Sequence, residues 1–196
     1  MAEGKEDRRV QRTRLMLRTA MASLIREKGF EALTVQDIID RADVGRSTFY
    51  THFKSKEDLL AGSVEMMRSS LRKVQRQAIA RSAKPDERVF AFTRELFTHA
   101  EQHREVFAAM VGRRSGMVFQ QHLHRMLADL VREDLETLTG RKRPPAMEAE
   151  AAVQFVTGAL IGLIATWLDR MTRLSAEQMN ALFHRMALPA VRALTG

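Results

Sequence analysis

The stretch TVQDIIDRADVGRSTFYTHFKSKEDL fills residues 34–59, and its reading decides the fold. Thr34 and Asp37 have the spacing of a capping box, with Asp in place of the usual Glu, and open a short helix that runs to about Arg41. Ala42, Asp43 and Val44 make a tight link, and a second short helix covers residues 46–52. Ser55 and Asp58 repeat the capping pattern and start a long helix through Leu59, Leu60, Val64, Met67 and Leu71. Two short helices joined by three residues, with a longer helix in front, describe a helix-turn-helix.

At 100° per residue the second short helix has two different faces. Phe49 and Phe53 share one and bury it, joined by Val44 from the turn. Arg46, Ser47, Tyr50 and Thr51 share another, which is polar and close to the helix start. Arg can pair with guanine or phosphate; Ser and Thr reach bases or backbone; Tyr offers a ring to a thymine methyl and a hydroxyl to phosphate. The N-termini at Thr34 and Ser55 each present backbone amides to an anion. Lys56 sits in the first turn of the second of these, where a cation opposes the helix dipole unless a phosphate lies beside it. His52 and Lys54 flank the same place. Taken one at a time, these features are those of any amphipathic helical domain with solvated polar faces; together they point to DNA.

Upstream, residues 1–9 read as a disordered arm. Leu15, Leu17, Ala20, Met21, Leu24 and Ile25 then recur at helical spacing over residues 10–28, and Gly29 ends that helix as a C-terminal cap. Downstream, Pro85 punctuates the chain, and helices are predicted over residues 86–101, 103–112 and 116–139. Gly140-Arg-Lys-Arg-Pro-Pro145 reads as a basic loop, and helices over 146–171 and 176–194 close the chain. The expected fold is all-α with about nine helices. A helix-turn-helix domain occupies 1–60, and a helical ligand-binding and dimerisation domain occupies 61–196.

Composition agrees. Glycine (10) and proline (4) are scarce, apolar residues rarely alternate with polar ones, and 45% of the chain is hydrophobic. With no cysteine, neither a disulfide framework nor a thiolate zinc site is available, which fits a reducing cytoplasm. The polar, charged start does not read as a signal peptide, and residues 151–168 read as a buried helix rather than a membrane span. The net charge of +8 does not mark the DNA-reading surface: residues 61–145 hold 16 Lys and Arg against 10 Asp and Glu, whereas residues 1–60 hold 12 against 10. No Gly-rich phosphate loop, Gly-x-Ser-x-Gly or His-Glu-x-x-His motif is present, so no enzyme is expected.

Residues 12–60 resemble the N-terminal domain of the TetR/AcrR family of repressors. The match rests on Ala20, Leu24, Gly29, Phe30, Thr34, Asp37, Ile38, Ala42, Val44, Thr48, Tyr50, His52, Phe53, Lys56, Glu57 and Leu59, and most specifically on the run from Ser47 to Leu59. The resemblance implies a cytoplasmic helical homodimer with a divergent effector domain, a palindromic double-stranded operator and release by a small molecule. It also implies that Thr34, Thr48, Tyr50, His52 and Lys56 contact DNA, mainly at phosphates. The expected DNA-binding set is therefore Thr34, Arg46, Ser47, Thr48, Tyr50, Thr51, His52, Lys54 and Lys56. Three positions depart from the family's pattern: Asp43 stands where Gly is frequent in the turn, Gly45 where Ser often caps the helix, and Ser47 where Gly is common. Asp tolerates the left-handed conformation better than most residues.

The region after residue 60 is informative about class. The helix over 146–171 is apolar on more than one side, so one side can face its own core while another needs a second partner; Gly158 and Gly162 permit close helix approach. A four-helix dimer interface is expected from Val153, Val156, Leu160, Ile164, Trp167, Met179, Leu182, Phe183 and Met186. Met66, Met67, Phe92, Leu96, Phe97, Phe107, Met110, Phe119 and Met126 lie on helices expected to surround an effector pocket, though each also serves as ordinary core. The arginine surplus there favours a neutral or acidic effector. His99 and His103, one turn apart, give an alternative reading as a metal sensor; a second alternative keeps the fold but works through a protein partner. No cofactor, metal or membrane is expected.

Overall fold

A computed structural model describes residues 3–81, 88–111, 117–139, 145–169 and 174–193. Pro85, the basic loop at 140–144, and the outer ends of the helices expected at 86, 116, 171 and 194 lie outside the described residues. Nine helices and no strand occur among those described: α1 (Glu3–Lys28), α2 (Val35–Ala42), α3 (Arg46–His52), α4 (Lys56–Arg81), α5 (Phe92–Gln102), α6 (Arg104–Val111), α7 (Met117–Thr139), α8 (Ala146–Asp169) and α9 (Ala176–Arg192).

Two boundaries differ from the sequence reading. The first helix begins at Glu3 rather than near residue 10. The Glu-, Lys- and Arg-rich stretch there has good helix propensity and no proline, so the helix extends through it. The helix expected over 86–101 is interrupted: Arg88 is helical, residues 89–91 turn, and α5 begins at Phe92, because Phe90 takes a left-handed conformation, φ +60°. That strain is held by buried partners: the Phe90 amide donates to Asp134 Oδ2 at 2.7 Å, and its carbonyl accepts from Thr93 Oγ1 at 2.7 Å.

Leu17, Met21, Leu24 and Ile25 of α1 are buried, and α1 packs on α2, α6 and α4. Beyond it, α4 packs on α5 and α7, and α8 is embraced by α5, α6, α7 and α9. The centre of this second core is aromatic. Phe97 meets Trp167 edge-on at 5.8 Å, and Phe90 meets Phe183 at 5.6 Å. Helix α8 is long and apolar enough to cross a membrane by length and composition, yet Val153, Val156, Leu160, Ile164, Trp167 and Leu168 are all buried within the chain's own body.

Three polar contacts tie α4 to α7. Arg68 meets Asp129 at 2.5 Å, Arg72 meets Glu133, and the buried Gln75 amide donates to Asp134 Oδ1 at 2.7 Å and to the Leu130 carbonyl at 3.0 Å.

Candidate nucleic-acid interface

Each turn of the reading head is set by a residue suited to it. Gly29, φ +77°, ends α1. The capping box at Thr34 forms in both directions: the Asp37 amide donates to Thr34 Oγ1 at 3.2 Å, and the Thr34 amide donates to Asp37 Oδ2 at 2.8 Å. Lys28 Nζ lies 2.7 Å from the same carboxylate, and together these donors hold the Asp37 carboxyl well below the usual carboxylate range. Asp43 closes α2 in the left-handed conformation, φ 52°, as its side-chain type allows. Arg41 grips Glu27 through two 2.7 Å hydrogen bonds, which pull the Glu27 carboxyl down to about 2 and fix α2 on α1.

Gly45 then leads into α3 without a side-chain cap. Phe49 is fully buried and Phe53 is 7% exposed, with ring centroids 6.1 Å apart. Tyr50 points the other way and is 49% exposed. Its ring meets Phe49 edge-on at 5.4 Å, and the Arg46 guanidinium lies 5.8 Å from its centroid. Arg46, Ser47, Thr51 and Lys54 are exposed around it, while Thr48 and His52 are half-buried at the margins. Arg46 also reaches Gln36 on α2 at 3.5 Å. Gln36 is exposed and belongs beside the strip, although the sequence reading did not include it; its place in the first turn of α2, ahead of the reading helix, was the available signal.

Helix α3 is roughly 10 Å long, and the B-DNA major groove is about 12 Å wide. The strip can therefore enter a groove as a unit, with α2 across its back.

Two expected phosphate sites have other engagements here. The Lys56 ammonium donates to the carbonyls of Phe30 at 3.0 Å, Glu31 at 3.1 Å and Leu33 at 2.8 Å, and lies 4.8 Å from the Phe30 ring centroid. Its three protons are used inside the domain. The helix N-termini at Thr34 and Ser55 likewise carry internal acids: Asp37 at the first, and at the second Asp58, which accepts from the Lys54 amide at 2.8 Å.

In the second half of the chain, the expected dimer residues need correction. Val153, Val156, Leu160, Ile164, Trp167, Met179 and Phe183 are at most 4% exposed in the single chain, so they face its own core and cannot meet a second copy. Only Met186 (61%) is exposed, with Leu182 half-buried. The outward apolar side of α8 carries Phe155 (60%), Gly158 and Gly162. Of the expected pocket residues, Met67, Phe92, Leu96, Phe97, Phe107, Met110, Phe119 and Met126 are buried in the core cluster, and Met66 is 52% exposed. None of them lines the cleft of about 890 Å³ that opens between α7 and α8. His99 and His103 do meet, with ring centroids 4.5 Å apart, but among the described residues no third metal-ligating side chain joins them.

Comparison with known proteins follows the same division. Residues 17–62 match the model described as "Bacterial regulatory proteins, tetR family", and residues 87–188 match "Transcriptional regulator C-terminal region". A 64-residue segment is 38% identical to the uncharacterized HTH-type transcriptional regulator YxbF of Bacillus subtilis (strain 168); it makes up 32% of this chain and spans only 17% of that relative's length. The crystal structure of a TetR transcriptional regulator from Streptococcus agalactiae 2603V superposes with a TM-score of 0.67 at 26% identity, covering 94% of this chain and 98% of that one. Thermus thermophilus FadR, a TetR-family repressor solved in complex with lauroyl-CoA, shares the fold at 20% identity, with a TM-score of 0.65 and coverage of 89% and 93%. With a reading head built on two buried phenylalanines and family matches on both halves, the chain belongs to the TetR family of DNA-binding transcriptional regulators.

Proposed function

We propose that this regulator is a cytoplasmic homodimeric repressor that holds a palindromic operator and lets go when a small molecule binds its C-terminal body. The observation that carries the reading is the opposition of Phe49 and Tyr50 on α3, one wholly buried and its neighbour half exposed. Arg46, Ser47, Tyr50 and Thr51 read or grip DNA from the centre of the strip; Thr34, Thr48, His52 and Lys54 contact the backbone at its edges. Lys56 braces the head from inside. The boundary between reading head and effector body falls near residue 60, within α4.

Dimerisation uses the outward side of α8, with Phe155, Gly158 and Gly162, together with Leu182 and Met186 of α9. An exposed Phe beside small residues lets two helices approach closely across a two-fold axis. The lauroyl-CoA complex of the FadR neighbour supports a small-molecule effector for this fold.

DNA selected from a random pool by the purified protein tests this. An inverted repeat with half-site centres about one helical turn apart supports the reading. Recovery of unrepeated sequence, or of none, contradicts it.

A further inference from the structure

The cleft between α7 and α8 has a chemistry unlike that of the core beneath it. Its floor is apolar, with Val111 from the end of α6, Leu123 from α7 and Ile161 from α8. Its rim carries Arg125, Arg132 and His124 against a single carboxylate, Asp129. That carboxylate is already neutralised twice, by Arg68 at 2.5 Å and by Arg132 at 3.3 Å. Arg132 also meets Glu150 at 3.0 Å. Arg125 is exposed and has no acidic partner among the described residues. A volume of about 890 Å³ is within the range that encloses a small organic ligand.

An apolar floor beneath guanidinium groups, one of them unpaired, suits a molecule with a hydrophobic body and an anionic head. A cation would meet the unpaired Arg125 there, and a wholly apolar molecule would leave that charge uncompensated.

Asp129 gives the cleft a route to the reading head. One of its oxygens faces Arg132 on the cleft rim, and the other faces Arg68 on α4, the helix that begins directly after α3. An anion taking Arg132 competes for the first of these bonds and leaves Asp129 to Arg68 alone. Because Arg68–Asp129 is one of the polar ties between α4 and α7, an anion that frees Asp129 from Arg132 binds with different affinity when that tie is made and when it is broken, as any effector must.

We propose that this cleft binds an amphipathic organic anion through Arg125 and Arg132, and that Asp129 transmits its occupancy to α4. The proposal rests on the reading of the chain as an effector-responsive regulator, and assigns that effector's site and charge.

Two fluorescent probes share an aromatic body and differ in charge: 1-anilinonaphthalene-8-sulfonate carries a sulfonate, and N-phenyl-1-naphthylamine does not. Titrated into the full-length protein, the sulfonate probe saturates at one per chain and binds roughly tenfold or more tightly than the neutral one. Arg125→Ala removes most of that preference without moving the melting temperature. Saturating sulfonate probe shifts the protein's affinity for its selected DNA; Asp129→Asn tightens the probe by removing a like charge and abolishes the shift. Equal binding of the two probes, or an Arg125→Ala protein that keeps the preference, overturns the site. Probe binding through Arg125 with no change in DNA affinity overturns the coupling. DNA affinity measured without probe reports separately on the regulator reading, so the two failures are distinguishable.

Discussion

The Nζ of Lys56 stands 2.8 Å from the carbonyl oxygen of Leu33 and joins the start of α4 to the turn that follows α1. The carbonyls of Phe30, Glu31 and Leu33 converge there because Gly29 has ended α1 and the chain must reverse before Thr34. An ammonium among them offsets its unfavourable place at a helix N-terminus. Lys56→Met leaves the carbonyls without that donor and costs about 2–3 kcal/mol in urea unfolding. At a temperature where both proteins are folded, the slope of log affinity against log salt stays as in the parent. A slope reduced by about one, with stability retained, would return Lys56 to the phosphate-contacting set.

A second expectation concerns pH. Burial pushes the Asp134 carboxyl up to about 6, although Gln75 and the Phe90 amide donate to it and pull the other way. An unfolded Asp titrates near ~3.9. Between about pH 4 and pH 6 the folded protein therefore keeps a proton that the unfolded chain has lost, and stability falls as pH rises through that window, by about 2–3 kcal/mol. The depressed acids Glu27 and Asp37 act in the opposite sense and at lower pH, where stability is lost as pH falls. Thermal unfolding of Asp134→Asn is predicted to show a flatter profile from pH 4 to pH 6; a profile parallel to the parent's would rule out this account of the buried carboxyl.

The two apolar sides of α8 separate in a third experiment. Phe155→Glu places a charge on the exposed side and is expected to give a folded monomer by light scattering, with helical content unchanged. Leu160→Ala opens a cavity on the buried side and is expected to cost roughly 2–5 kcal/mol. A Phe155→Glu protein that remains a dimer would remove this face from the interface.

These sides also show where the sequence was legible and where it was not. Capping pairs, Gly29, Asp43 and the opposed faces of α3 are local signals, and the structure contains each as expected. In α8 the apolar residues go nearly all the way round, so periodicity marks two buried sides without saying which is the core. The sequence reading assigned Val153, Val156 and Leu160 to a partner, yet they pack inside the chain. The Lys56 engagement was hidden for a different reason: its acceptors are backbone carbonyls 23 to 26 residues away, and carbonyls leave no trace in side-chain pattern. The cleft between α7 and α8 draws on residues far apart along the chain, and only the packing of the helices brings Arg125 and Ile161 to one site.

The left-handed turn offers a smaller test. Asp43 occupies φ 52° without glycine's freedom, so Asp43→Gly is expected to be neutral or to stabilise by about 0.5–1 kcal/mol, whereas Asp43→Val loses more than that. Equal melting temperatures for the two variants would show that the turn's conformation does not limit the domain.

The most direct measurement of the whole account is titration of the selected operator with Tyr50→Ala and Arg46→Ala, monitored by fluorescence anisotropy at fixed salt. Both side chains lie outside the core, so dimer mass and melting temperature stay at parental values while affinity falls by roughly tenfold or more for each. Parental affinity in both variants would mean that the outward strip of α3 is not what this regulator presents to DNA.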